Sequence, residues 1–162
     1  MKIRIFVTGG TFDKEYNEIQ EALLFQDTHL PEILKLGRCK VDIDIRTLMM
    51  VDSLAMTDEE RKMIVENCVK AQEKNIIITH GTGTMEKTAK ELGEAIKDKT
   101  IILTGAMVPY AYGSSDGMFN LGSAIAFAQS LPPGVYVAMN GKFFNFNNVH
   151  KNTKTGIFEE IQ

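Results

Sequence analysis

The sequence predicts an α/β domain built on a mostly parallel central sheet. Three observations predict it. Four apolar runs of four to six residues lead into glycine-bearing turns, helical patterns lie between them, and one further run alternates apolar with charged residues. Strands that alternate with helices make a layered α/β fold.

The strand runs are Ile3–Val7 before Gly9-Gly10, Ile76–Thr79 before Gly81, Ile101–Thr104 before Gly105, and Val135–Met139 before Gly141. Short continuous apolar runs suit strands buried on both faces. Val41, Ile43 and Ile45 alternate with Asp42, Asp44 and Arg46, which predicts a strand with one wet face. A short helix is expected at Pro31–Leu36, closed by Gly37. Thr57-Asp58-Glu59-Glu60 is a capping box, with Met63, Ile64, Cys68 and Ala71 following on one face. Another helix starts near Thr84, with Met85, Ala89, Leu92 and Ile96 at helical spacing. A last one is capped by Asp116, runs through Phe119 to Ala128, and ends at Pro132-Pro133-Gly134. The Asn-rich stretch from Asn145 to Asn152 reads as loop.

Composition excludes several classes. A chain of 162 residues makes one domain that buries roughly 70% of its unfolded surface. With 44% hydrophobic and 24% charged residues it is not disordered. Eighteen basic and 21 acidic residues give a net charge of -3 with no Lys/Arg cluster, which argues against a nucleic-acid partner. No apolar run reaches the ~18 residues of a membrane span. The apolar start Ile3–Val7 is too short for a signal peptide. Cys39 and Cys68 lack CxxC spacing and read as reduced, buried thiols of a cytoplasmic protein.

Ligands of open α/β sheets sit beyond the carboxyl ends of the strands. Those ends carry Thr8-Gly9-Gly10-Thr11, His80-Gly81-Thr82-Gly83-Thr84 and Thr104-Gly105-Ala106. Glycine lets backbone N–H groups approach a ligand, and threonine supplies a nucleophile or a donor. Spacing alone leaves two readings open: a reactive edge, or tight turns with threonine caps. No phosphate loop is present, because Gly141-Lys142 is followed by Phe143, and neither glycine turn has the third glycine of a dinucleotide fingerprint. No cofactor is expected. His29, His80 and His150 stand apart with no HxxxH or cysteine partner, so they read as hydrogen-bonded structural histidines and no metal is expected. Asp58-Glu59-Glu60 is a solvated first helical turn matched to the helix dipole.

Together these residues carry a resemblance. The turns Thr8–Thr11 and His80–Glu86, then Asp98-Lys99 before Leu103–Met107, then Ser115-Asp116-Gly117 with Asn120-Leu121, resemble the L-asparaginase family of bacterial type. The likeness runs from Lys2 to about Thr153. It implies a three-layer domain like the asparaginase N-terminal domain, spanning 1–162 with no C-terminal domain. It also implies roles position by position. Thr11 matches the nucleophile, Thr82 the second catalytic threonine, Lys99 the lysine paired with it, and Tyr16 the tyrosine of the mobile loop, here shortened. Gly10, Ser53 and Gly83 match substrate-binding positions, with Ser53 anchoring an α-carboxylate. Each has a plainer reading taken singly: Thr11 as an N-cap, Lys99 as a solvated lysine beside Asp98, Ser53 as a residue preceding a helix.

The chemistry is coherent. A threonine hydroxyl needs a base, a neutral lysine can serve as one, and an intervening hydroxyl can relay the proton. Glycine-flanked N–H groups supply donors for an oxyanion. Two positions depart from the family pattern: Gly83 stands where Asp is usual and Leu54 where Gln is usual, and in the family both side chains hold the substrate's α-ammonium. The expectation is therefore hydrolysis of L-asparagine or a similar small linear amide to the acid and ammonia, weakened at Gly83. The alternative is a non-catalytic binding or interaction domain of the same fold. A homo-oligomer, dimer or tetramer, is expected to complete the site.

Overall fold

A computed structural model describes residues 1–162. The chain begins with β1 (Lys2–Gly9), a hairpin of β2 (Lys14–Asn17) and β3 (Ala22–Phe25), α1 (Leu30–Leu36) and β4 (Asp42–Val51). It continues with α2 (Asp58–Lys70), β5 (Asn75–Thr79), α3 (Met85–Ala95), β6 (Thr100–Thr104), α4 (Gly117–Ser130) and β7 (Gly134–Met139). The last strands are β8 (Lys142–Asn145), β9 (His150–Lys151) and β10 (Phe158–Glu159). The fold is α/β, with a six-stranded sheet in the order β4-β1-β5-β6-β7-β8. The first five strands are parallel, and β8 returns antiparallel to β7.

The isoleucine run of β5 shows why three layers form. A strand points successive side chains to opposite faces. Ile76 and Ile78 join the core under α2 and α3, beside Ile64, Cys68, Ala89 and Leu92. Ile77 joins the other core, beside Leu30, Ile33, Leu121 and Ala124 of α1 and α4. The strand is therefore apolar throughout because both its faces are covered.

The helix signals hold with two adjustments. Thr57 and Glu60 make both bonds of the capping box, and Ile64 and Cys68 are buried while Met63 is exposed. Asp116 occupies the N-cap position of α4, but its carboxylate does not bond the helix N–H groups. It accepts from Met107 N and Val108 N at 3.0 Å, tying the loop after β6 to the helix start. Buried Asn120 extends this tie, donating to Gly105 O and accepting from Asn140 N. No helix is long and apolar enough to cross a membrane.

Two elements escape the sequence reading. Tyr16 lies on a paired strand, opposite Leu23, and not in a free loop. The Asn-rich stretch contains the end of β8 and the start of β9's pairing with β10. Cys39 and Cys68 are both free, but only Cys68 is buried.

Candidate active site

The chain leaves β1 for β4 on one side of the sheet, then returns to β5 on the other. The carboxyl ends of β1 and β5 thus diverge into a crevice, the place where open α/β sheets bind ligands. The turns Gly9–Thr11 and Gly81–Thr84 meet there. Gly10 has a φ of 79°, and a Cβ on it would strike the backbone of Gly81, so only glycine allows the two turns to touch.

The crevice is a cavity of about 210 Å³. Gly10, Thr11, Ser53, Thr82 and Gly83 line it together, as does Lys151. Gly10, not Thr11, takes the cap position of the short turn Thr11–Asp13, so the threonine stands on the cavity wall. Phe12 behind it is wholly buried and fixes the turn. Ser53 opens a second short turn, Ser53–Ala55, whose cap is Asp52. That turn is fastened to the start of α3: Thr84 donates through Oγ1 to Ser53 O at 2.9 Å and through its N–H to Ser53 Oγ at 3.3 Å. Arg61 of α2 in turn donates to Thr84 Oγ1.

Two threonines at this edge are structural. Thr8 Oγ1 donates to Thr79 O, and Thr104 Oγ1 donates to Ala138 O. These hydroxyls stitch neighbouring strand ends together. Thr82 is different: its Oγ1 accepts from Lys151 Nζ at 2.8 Å. Lys151 is held by pairing of β9 with β10 and by its backbone N–H, which donates to Glu86 Oε2 in the first turn of α3.

Lys99 does not reach this site. It precedes β6, and a residue just before a parallel strand lies at the amino edge of the sheet, opposite the crevice. Its side chain is buried there, and Nζ donates to Cys68 O at 2.8 Å and to Ala71 O. It is neither the partner of Thr82 nor a solvated lysine; it caps the carbonyls at the end of α2. Asp98 beside it forms an exposed ion pair with Lys74. Lys151 is the lysine that sequence reasoning missed.

Tyr16 is also outside the cavity lining, 55% exposed on β2. Its hairpin is clamped to the domain by His29. The ring nitrogens of His29 approach Asp13 Oδ1 at 3.3 Å and Glu15 Oε1 at 2.6 Å. Burial raises the Asp13 carboxyl above its usual range, against the opposing bonds from His29 and Thr28.

His80 is structural. Burial lowers its imidazole to about 4, with the Arg61 charge acting in the same direction. A neutral ring then donates from Nδ1 to Gly81 O and accepts at Nε2 from Thr88, which shapes the Gly81–Thr84 turn from beneath. The N–H groups of Gly81, Thr82 and Gly83 find no acceptor in the protein, and all three residues line the crevice. No cluster of three or more His, Cys, Asp or Glu residues is arranged to hold a metal. A larger groove of about 610 Å³ runs by Phe127, Phe143 and Ile157, but its wall carries no nucleophile beside a base.

Glycine turns meeting at the split of a parallel sheet, with a threonine on the wall and a lysine on a second threonine, define an asparaginase-type α/β domain. The family described as Asparaginase, N-terminal matches residues 2–159, and the chain belongs to it. It is similar to the L-asparaginase of Thermococcus kodakarensis, 31% identical over 97% of this chain and 49% of that protein. The solved structure of that thermostable enzyme superposes with a TM-score of 0.86 at 28% identity, covering 99% of this chain and 51% of the other. A second relative is a glutamyl-tRNA(Gln) amidotransferase component of Methanococcus vannielii, 32% identical over 94% of this chain and 37% of that protein. The chain thus spans about half the length, or less, of these relatives.

Proposed function

We propose that the protein is an amidohydrolase that cleaves a small linear amide, with L-asparagine the first to assay, through a threonine nucleophile. The observation that carries this reading is the Lys151 Nζ–Thr82 Oγ1 bond of 2.8 Å in the cavity that Thr11 also lines. Relatives named L-asparaginase support it, as does the amidotransferase relative, which carries amide chemistry in its name.

In this mechanism Thr11 Oγ1 attacks the amide carbon. Its proton passes through the Thr82 hydroxyl to Lys151 Nζ, a relay of the kind general base catalysis requires. The free N–H groups of the Gly81–Gly83 turn supply donors where negative charge develops on the carbonyl oxygen. The C–N bond breaks, the nitrogen takes back through Thr82 the proton that Lys151 accepted and leaves as ammonia, and Thr11 retains the acyl group as an ester. Water then cleaves the ester, releases the acid and restores the hydroxyl.

The cavity mouth exposes Leu54 and Met107, which supports a homo-oligomer in which a second copy covers it. The two free cysteines support a reducing, cytoplasmic setting. Ammonia release from asparagine, glutamine and simpler amides at high protein concentration tests the activity. If no amide is turned over, the alternative of a binding domain with a retained cavity takes its place. Light scattering that finds only an 18 kDa species removes the oligomer, since the chain's own mass is 18.1 kDa.

A further inference from the structure

Resting on the amidohydrolase reading, we infer that the site selects linear amides carrying a carboxylate and no ammonium, the monoamide of a four-carbon dicarboxylic acid being the simplest. The charges facing the cavity lead to this. The one carboxylate on its wall is Asp52. That group is already engaged: Oδ2 lies 2.6 Å from Lys14 Nζ, and Oδ1 accepts from Leu54 N. The bond from Lys14 holds the Asp52 carboxyl below its usual range, and the Lys14 ammonium offsets its charge.

The wall beside it is apolar. Gly83 has no side chain, and the place where one would stand is covered by Leu54, whose Cδ2 would lie 2.8 Å from a Cβ on Gly83. Leu54 itself is 79% exposed. An ammonium seated against Gly83 and Leu54 gives up water and gains no side-chain acceptor from either, which is costly for a charge. An anion meets the reverse situation. The Gly81, Thr82 and Gly83 N–H groups are unpaired, and Ser53 Oγ accepts from Thr84 N while keeping its own proton to donate. A charge-assisted bond to such donors is worth roughly twice a neutral one.

Two product-like ligands isolate the ammonium without any turnover. Succinate and L-aspartate differ only in that group. Titration calorimetry on the full chain should find succinate bound about tenfold or more tightly, the scale of one lost charge-assisted bond. Gly83→Asp should reverse that order. Its backbone lies outside the left-handed region; a Cβ there displaces the Leu54 side chain and presses on Ser53 Oγ at 3.2 Å. Thermal unfolding confirms that the variant folds. Equal affinities, or tighter aspartate, in the unmodified chain overturn the inference. Ammonia release from succinamate and from L-asparagine is read separately. Absence of both rates sinks the amidohydrolase reading, whereas a faster rate on asparagine sinks only the selectivity.

Discussion

Lys99 and Lys151 are both held by hydrogen bonds, at opposite edges of one sheet. Lys99 faces backbone carbonyls at the end of α2. Carbonyls only accept, so they bond the ammonium and reward its charge; the lysine works as a helix cap. Lys151 faces the hydroxyl of Thr82. A hydroxyl can both accept and donate, so a proton can travel either way along that bond. The residue type is the same at both edges, and the partner decides what it can do.

The sharpest way to break this contrast is to truncate each ammonium in turn. Lys151→Met should lower ammonia release by about 10²–10⁴-fold, the usual loss of a general base, with little change in melting temperature. Lys99→Met should keep most of the rate and lose about 1–3 kcal/mol of stability, because it strands buried carbonyls. Paired rate and denaturation measurements decide; the opposite pattern would return Lys99 to the mechanism.

A smaller effect sharpens the role of position. Glu86→Ala removes the acceptor of the Lys151 N–H and should let β9 drift from Thr82. A roughly tenfold fall in kcat with KM nearly unchanged is expected, since small misplacements of catalytic groups are costly. A change in KM alone would mean that Glu86 only shapes binding.

His80 offers a pH test of the crevice floor. Its folded value, about 4, lies below the ordinary 6.5 of the unfolded chain. The unfolded state therefore takes the proton first, and stability falls as pH drops from about 6.5 toward 4, then levels. The loss attributable to this ring is on the order of 3 kcal/mol. Urea midpoints at pH 7 and 4.5, compared with His80→Asn, isolate it; parallel losses in both proteins would contradict the assignment.

The smallest effect concerns the thiols. Burial pushes the Cys68 thiol up to about 12, so it should stay inert at neutral pH while half-buried Cys39 reacts. Thiol titration of the folded protein should therefore count one fast group. Two would show that the core over Cys68 opens readily.

The legible parts of this molecule are those written in local pattern. The runs of β1, β5, β6 and β7 announce themselves because both faces are apolar, and their glycine turns mark the carboxyl edge. Gly10, Thr11, Thr82 and Gly83 lie on those turns and line the cavity, and Ser53, which only the family resemblance singles out, lines it with them. Lys151 stays hidden because β9 is two residues long and has no period. Its place is set from afar, by Phe158 across the ladder and Glu86 on α3. Lys99 receives the role from the family resemblance, through its place six residues before Gly105. Strand direction is the signal that corrects this, since a residue before a parallel strand belongs to the far edge. Tyr16 reads as loop because charged and polar neighbours conceal a short hairpin that His29 clamps.

The distance along the chain between Gly10 and Lys151 has a consequence for biosynthesis. A ribosome exposes the Gly9–Thr11 turn well before Lys151, which lies some 140 residues further along. Parallel strands pair through long crossovers, and contacts of high sequence separation form late. The bond from Lys151 to Thr82 should then be among the last to close, after β1, β5 and β6 have been ordered against their helices. Catalysis in this protein would serve as a clock for completed folding: recovered turnover should trail recovered helical signal on refolding, and a nascent chain ending before β9 would carry its threonines without the means to use them.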